Sequence, residues 1–586
     1  MNTTAKKQVG FRNIINNIIP MTSWLPNYQK KWLRVDIIAG LAVWAMTVPQ
    51  VLAYAGIAGV PPIYGLYTVP LAMILYAIFG SSRTLSVGPE SAIAIISAVS
   101  VSALVTDNLS EYLILTSMLT LLVGILFLLF GFFRLGWLAN FLSKPVLQGF
   151  TMGIALIVIS SQVPLIFGTE AGYNSMVKSM TETIHTGFFV KSWSVIATLS
   201  GTNLVTMAVG LGALLILFAF KSFKPTSPYA LIVVLIGILA VYFLNLTDHG
   251  VSVIGAVDSG LGGLKIPDIS MDKIGALIPG ALAILLLGYS VSLSVASISA
   301  ETTGEQINPN QELIGLGFAN IGAAFSSGFV VSGSLSRGVV IRRAGGRTQV
   351  VSIINAILII VTLLFAISLF FYLPYAVLAA IVIQAMSGLL NFKFYSRLYK
   401  IDRGEFAFAM VSLFGVLIFG ILEGVALGVI LSLALLIKRV SRPGTAILGR
   451  VPETNDFRDV ITNPEAETVP GLLIFRFDGP IIFVNAGFLV DEIRRIISSS
   501  EIPVKEVLIP AHQINHLDST GADIMSKLKS ELDAKGILLS FAEVKMKLQE
   551  AIYRTGLENI IGKGHFFESI GDGVKSFQQR QKMSNS

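Results

Sequence analysis

No cysteine occurs anywhere in the 586 residues, which excludes disulfides, thiol catalysis and thiolate metal sites and leaves the compartment open. Histidine is almost as scarce. Only His185, His249, His512, His516 and His565 are present, without an HExxH or similar spacing, so no metal site and no cofactor is expected. Charge is the third shortage: 13% of residues are Asp, Glu, Lys or Arg against 53% hydrophobic, at a mean hydropathy of +0.75. A soluble protein of this length could not cover itself with so little polar surface, so lipid is the solvent for most of the chain.

Long segments free of Asp, Glu, Lys, Arg and His cover residues 37–82, 112–133, 145–169, 192–220, 225–247, 274–300, 313–336 and 348–392. Crossing a bilayer takes about 20 residues at a helical rise of roughly 1.5 Å, so each run can span, and two can span twice. Met1 to Lys31 has no uninterrupted apolar core and no small-residue cleavage pattern, so the first span is expected to stay in the mature protein. Lys6, Lys7, Arg12, Lys30, Lys31 and Arg34 precede that span, and Lys438, Arg439, Arg442 and Arg450 follow the last. By the positive-inside rule both ends are cytoplasmic, which requires an even number of crossings. The net charge of +7 is therefore a matter of topology, and no basic soluble face suggests nucleic acid.

Composition changes near Ser441. From Val469 short apolar runs alternate with amphipathic segments: strands at Leu472–Phe477, Ile481–Val484, Val504–Ile509 and Ile537–Phe541, helices at Phe488–Ile497, Ser519–Leu532, Lys545–Arg554 and near Gly573–Gln579. That alternation predicts a small α/β domain of about 110 residues. The domains are then a cytoplasmic segment 1–34, a transmembrane domain 35–440, a linker 441–468 containing Pro443, Pro452 and Pro464, and a C-terminal domain with its tail, 469–586.

Three places interrupt the apolar runs in a way lipid would punish unless a cavity or a protein neighbour satisfied them. In Thr47-Val48-Pro49-Gln50, proline removes a helical hydrogen bond and Gln50 adds an amide at membrane depth; Gln50 either bridges two helices or faces a substrate cavity. In Ser86-Val87-Gly88-Pro89-Glu90-Ser91, extended residues lead into a helix that starts inside the membrane, with Pro89 suited to its first turn. Val331-Ser332-Gly333-Ser334-Leu335-Ser336-Arg337 repeats the pattern in the second half. Two broken segments, one in each half, point to inverted repeats whose half-helix N-termini meet at the midplane, where free amides favour an anion.

Pro62-Ile63-Tyr64-Gly65-Leu66-Tyr67, with Tyr76 and Gly80-Ser81-Ser82-Arg83 behind it, closely resembles the signature of the SulP family of anion transporters, with Val69 departing where that signature has a small residue. Pro49-Gln50, Ala53-Tyr54-Ala55, Gly88-Pro89, Asn310-Gln311-Glu312-Leu313 and Gly333-Ser334-Leu335-Ser336-Arg337 match in the same order. Phe475-Arg476-Phe477-Asp478-Gly479-Pro480, Phe483-Val484-Asn485-Ala486 and Asp518-Ser519-Thr520-Gly521 resemble the family's STAS domain. The resemblance implies a polytopic α-helical membrane protein of fourteen spans in two inverted repeats of seven, with a small cytoplasmic α/β STAS domain. Spans 1–4 and 8–11 would form a core domain and spans 5–7 and 12–14 a gate. It also implies an anion site between half-helices 3 and 10, built from Gln50, Gly88, Pro89, Ser334, Leu335, Ser336 and Arg337, elevator-like alternating access, and a homodimer in the cell membrane.

One departure bears on coupling. Many family members carry a carboxylate in span 8 a few residues before a Ser-x-Ala element; here Val291 aligns with it ahead of Ser294-Val295-Ala296, and residues 274–300 hold no carboxylate. Glu90 is then the candidate for coupling to H+ or Na+, its bland alternative being a helix cap. Asp36, Arg83 and Glu312 are expected to cap or snorkel at span edges, Glu423 to pack among gate helices, and Arg337 to set positive potential around the anion. Asp518-Ser519-Thr520 resembles the loop phosphorylated in bacterial STAS antagonists, so regulation there stands beside plain helix capping, with a cytoplasmic partner of the STAS domain as the corresponding expectation. No catalytic constellation or nucleotide loop argues for an enzyme. The expected function is secondary transport of a small anion, sulfate first, with bicarbonate, chloride, nitrate and dicarboxylates as further candidates. An anion channel on the same scaffold and a STAS-signalling anion receptor are the alternatives.

Overall fold

The structure, a computed structural model, describes residues 18–105, 108–141, 143–181, 188–223, 228–256, 260–265, 267 and 271–585. Lys6, Lys7, Arg12 and His185 lie outside them. The chain divides into two compact units, Met1–Ser432 and Leu433–Ser586.

Among the described residues eight helices are long and apolar enough to cross a membrane, the last of them running past the end of the first unit, with three shorter apolar ones between them. We number its principal helices α1 (Lys30–Ile57), α2 (Ile63–Phe79), α3 (Ser91–Ser102), α4 (Leu109–Phe132), α5 (Lys144–Phe167), α6 (Leu204–Phe223), α7 (Tyr229–Leu244), α8 (Met271–Thr303), α9 (Pro309–Phe325), α10 (Leu335–Arg343), α11 (Val350–Val361), α12 (Tyr375–Ser387), α13 (Arg403–Phe419) and α14 (Ile421–Ser441). The closest packing falls in two groups. Within one, α9 lies on α4 and α2, α11 on α1 and α2, and α8 on α3 and α4; within the other, α5 lies on α13 and α12, and α6 on α12. These are the core and gate groupings the resemblance implies. Lipid gives helices no hydrophobic reason to associate, so close approach through small residues matters. A Cβ on Gly65 of α2 would sit 2.0 Å from the Val51 carbonyl of α1, and one on Gly149 of α5 2.1 Å from the Ala409 carbonyl of α13.

Strands β1 (Val87–Gly88) and β2 (Ser332–Gly333) pair antiparallel just ahead of α3 and α10, with Val87 opposite Gly333 and Gly88 opposite Ser332. Irregular backbone survives at membrane depth only when its polar groups find partners. Here side chains of neighbouring helices provide them: Asn320 accepts from Val331 N at 3.0 Å and donates to Val331 O at 3.0 Å, and Ser292 Oγ accepts from Gly333 N at 2.8 Å. Gln349 Nε2 donates to the Ser82 and Leu85 carbonyls at 2.8 and 2.9 Å, holding the approach to β1.

Two carboxylates read as edge residues are instead fully buried. Asp36 accepts from Arg347 N at 2.8 Å and Thr348 Oγ1 at 2.7 Å, joining the start of α1 to the turn after α10. Glu312 accepts from Tyr76 Oη, Ser81 N, Ser81 Oγ and Ser82 N at 2.6–3.0 Å, tying α9 to the turn after α2. An acidic residue at the first turn of a helix looks the same in sequence whether it faces water or a neighbouring turn's amides. Arg83 does stay partly exposed, 3.8 Å from Glu305.

The second unit holds a six-stranded sheet in the order β4-β3-β5-β6-β7-β8. Its strands are β3 (Gly444–Arg450), β4 (Phe457–Asp459), β5 (Leu472–Asp478), β6 (Glu506–Pro510), β7 (Leu538–Ala542) and β8 (Phe566–Phe567); β5 to β8 run parallel and β3 is antiparallel to both neighbours. The linker reading of 441–468 is thereby corrected, because β3 and β4 lie inside it and belong to the sheet. Prolines flank these strands and glycine interrupts β3, so the segment carries linker composition while pairing supplies the order. Ile481–Val484, read as a strand, contributes only one bridge, Ile481 to Leu517, and otherwise forms a turn. One apolar cluster packs α15 (Ala486–Ser499), α16 (Ser519–Ala534), α17 (Met546–Arg554) and α18 (Leu557–Ile561) against the sheet, and a second involves α19 (Ile570–Asn585).

Alternation of side chains puts Glu506 and Ser540 among the residues facing α19. Glu506 is buried, accepts from Ser540 Oγ at 2.6 Å and pairs with Arg580 Nη2 of α19 at 2.5 Å, while Ser540 Oγ also meets His565 Nδ1 at 3.0 Å. Burial pushes the His565 pKa down from its usual value. Arg580→Ala strands the buried carboxylate, and the isolated domain should lose about 2–4 kcal/mol in chemical denaturation, the half-exposed arginine placing it at the low end for a broken buried pair. Glu506→Gln, which keeps acceptors without the charge, should lose less.

Candidate functional site

Where α3 and α10 begin, a cavity of about 390 Å3 opens between the core and gate groups. Ala42, Met46, Gln50 and Tyr54 of α1 line it in steps of four, as one face of a helix must. Gln50 is buried and its Oε1 has no hydrogen-bond partner, so the cavity-facing alternative describes its placement. Ser334, Leu335 and Ser336 line the same space from α10, with the two serine hydroxyls 3.2 Å apart and Leu335 exposed to the cavity.

The two helix N-termini are not equivalent. Glu90 is the N-cap of α3, accepting from Ala92 N at 2.8 Å and Ser91 Oγ at 3.0 Å, and it also lines the cavity. A carboxylate already occupies the positive end of α3. At α10 the cap is a neutral hydroxyl, Ser334 Oγ, accepting from Arg337 N at a long 3.5 Å. The first amides of α10 therefore have no carboxylate capping them.

Gly88, Pro89 and Arg337 do not line the cavity; they are the chain neighbours of Glu90 and Ser336, which do. Arg337 is fully buried, with Nη2 donating to the Pro89 carbonyl at 3.2 Å while Nε and Nη1 have no hydrogen-bond partner. Gly88 explains itself here, since a Cβ would lie 3.1 Å from Arg337 Nη2. A guanidinium bound this sparsely costs several kcal/mol unless negative charge nearby compensates it. Sequence reasoning missed the rest of the cavity wall: Tyr54, Ser91, Lys221, Tyr229, Arg343 and Gln384. Tyr54 was within reach through the four-residue spacing from Gln50. The gate-side residues belong to helices far away in sequence and gave no local signal.

In the other unit Asp518 caps α16, its Oδ1 accepting from Gly521 N at 2.6 Å and its Oδ2 from Phe483 N at 2.9 Å. Ser519 and Thr520 are exposed at that helix start. Among the described residues no cluster of His, Asp or Glu could hold a metal ion.

A profile of the sulfate permease family matches residues 33–412, and one of the STAS domain matches 463–573. The chain belongs to the sulfate permease family. Similar full-length permeases include a probable sulfate transporter of Mycobacterium tuberculosis, 34% identical over 96% of this chain and 99% of the relative. A chloroplastic sulfate transporter of Arabidopsis thaliana is 31% identical over 99% and 86%. Among solved structures, the murine Slc26a9 anion transporter in its inward-facing state superposes with a TM-score of 0.87 at 22% identity, over 97% of this chain and 95% of that one. The transmembrane domain of the cyanobacterial bicarbonate transporter BicA matches at 0.58 and 21% identity, over 69% and 98%. These likenesses fix the permease fold, a helical membrane domain followed by a STAS domain. The family is one of anion transporters.

Proposed function

We propose that this permease is a secondary transporter of a small anion, with sulfate as the first candidate, working in the cell membrane by elevator-like movement of the core group against the gate. The observation that carries this reading is the cavity at the start of α10, with Arg337 buried behind it. The free amides of α10, the Ser334 and Ser336 hydroxyls and the Gln50 side-chain amide, whose NH2 can donate, share this cavity next to a buried, sparsely bonded Arg337. Such a site offers donors and positive potential at α10, with its one acidic group, Glu90, capping the other helix, which suits an anion that arrives and leaves. Sulfate suits it through family membership and through the names of the relatives; the geometry alone would also take bicarbonate or a dicarboxylate. Fourteen spans, a homodimer embedded in lipid, cytoplasmic termini and a regulatory role for Asp518, Ser519 and Thr520, through phosphorylation or a cytoplasmic partner, complete the proposal.

Reconstitution tests it: proteoliposomes should accumulate labelled sulfate, or labelled bicarbonate or fumarate if sulfate fails, in a saturable way. Currents far above carrier turnover would favour a channel instead. Coupling is read in the same assay. With Val291 in place of an acidic residue, positions 274–300 of α8 hold no carboxylate, and Glu90 is the acidic residue lining the cavity, where its charge and that of a bound anion repel. A proton taken up with the anion would remove that repulsion. Glu90→Gln keeps the oxygen that accepts from Ala92 N, and it should abolish the pH dependence of uptake while anion exchange continues. Retained pH dependence would rule Glu90 out as the proton carrier.

A further inference from the structure

The charged lining of the cavity is uneven. Glu90, its one acidic residue, lies at the inner end and already caps α3. Two cations, Lys221 and Arg343, line the outer part, and neither forms an ion pair with a carboxylate among the described residues. They sit on opposite walls: Arg343 ends α10 in the core group, and Lys221 lies in the last turn of α6 in the gate group. Basic residues in a last helical turn commonly do no more than complement the helix dipole. These two also share one aqueous space, beside Tyr229 and Gln384 from the gate. Arg342, one residue earlier, shows the contrast, since it donates to Ser299 Oγ at 2.9 Å and is committed to packing.

Arg343 is eight residues along α10 from Leu335, which at about 1.5 Å per residue sets it roughly 12 Å from the half-helix N-terminus. That is too far to touch an anion held at the α10 amides, and about one and a half screening lengths at physiological salt, where the length is about 8 Å. The bonds from Asp36 to Arg347 and Thr348 put this end of α10 beside the N-terminal end of α1, so the cations mark the mouth of the cavity on that face.

We propose that Lys221 and Arg343 form a recruiting station at this mouth, a second and weaker position for a small oxyanion that feeds the half-helix site from one face of the membrane. The proposal rests on the transport reading above but can fail separately from it. Facing walls of like charge with low-dielectric sides concentrate counter-ions and speed their arrival, an effect that salt erases.

The test uses the full-length protein in proteoliposomes. In Lys221→Gln/Arg343→Gln, the apparent KM for sulfate presented on the face of the N-terminal end of α1 should rise about three- to tenfold at low ionic strength, and return toward wild type in high salt. From the opposite face KM should stay within about twofold. An unchanged KM, an equal rise from both faces, or a rise insensitive to salt would overturn the station. Because the chain has no native cysteine, Arg343→Cys gives a single reactive position. A cationic methanethiosulfonate should restore the KM and an anionic one should raise it further. The reaction rates themselves read the local potential without needing transport. With Lys221 present the anionic reagent should react several-fold faster relative to the cationic one than in Lys221→Gln/Arg343→Cys. Equal rate ratios would reject the station, whereas absence of anion flux in the wild type with unequal ratios would reject only the transport reading.

Discussion

Glu312→Ala should leave no monodisperse protein after detergent extraction, the largest stability loss expected of any single substitution in the membrane unit. Glu312 is buried, and its carboxylate accepts four hydrogen bonds from Tyr76, Ser81 and Ser82, two of them from backbone amides in the turn between α2 and β1. That turn feeds directly into β1, the strand that positions α3. Removing the acceptor strands four donors away from water, and breaking a buried charged cluster of this kind costs about 3–5 kcal/mol. Part of the loss should be recoverable. In Glu312→Gln the amide oxygen can still accept from Ser81 and Ser82, while its NH2 must face the Tyr76 hydroxyl, which can turn its proton away and accept instead. Fluorescence-detected size exclusion with a thermal ramp separates the cases: an aggregate for Ala, a folded peak with a lowered melting temperature for Gln. A sharp peak for Glu312→Ala at the wild-type melting temperature would show that the four bonds contribute nothing net.

How far these features can be read from the residues depends on the range over which each is specified. The membrane character, the helix breaks at Gly88-Pro89 and Gly333-Ser334, and the STAS helices all rest on composition or on spacing within about a dozen residues, and the structure has them where the sequence puts them, whereas α1 runs unbroken through Pro49. Gln50 was legible because an amide at membrane depth needs a reason. Glu312 and Asp36 were misplaced at span edges because their partners are 231 and 311 residues away, and nothing local distinguishes a solvated carboxylate from one gripped by a distant turn. The strands β3 and β4 were hidden for the opposite reason. Their proline-flanked, charged surroundings look like linker, and only pairing of β3 with β5 makes strands of them. The gate-side lining, Lys221, Tyr229 and Gln384, is set wholly by how two groups of helices meet. Arg337 was placed correctly along the chain, but its depth was not legible, since an arginine in the first turn of a half-helix can reach toward the cavity or pack behind it. It packs behind, against Gly88.

That depth governs what Arg337→Met should do. The substitution keeps most of the side chain's volume, removes a buried guanidinium with two unpartnered nitrogens, and leaves only the Pro89 carbonyl without its bond. Replacing a poorly compensated buried charge by an apolar group of similar shape is neutral or stabilising, so the melting temperature without anion should hold or rise. Function should move the other way. The charge under the α10 amides draws an anion to them, and a charge-assisted contribution of about 1.5–3 kcal/mol corresponds to an apparent affinity weaker by about ten- to a hundredfold. Thermal stabilisation by ligand gives both readings in one experiment, because a bound anion stabilises the folded state by RT ln(1 + [L]/Kd). Wild type should melt progressively higher as sulfate is added at constant ionic strength, whereas Arg337→Met should start at or above the wild-type value and stay flat. Arg337→Lys should fall between the two, with the charge kept and the planar fork lost. An Arg337→Met protein that melts lower without sulfate yet shows the full sulfate shift would make Arg337 a structural brace for β1 and β2, with no part in holding the anion.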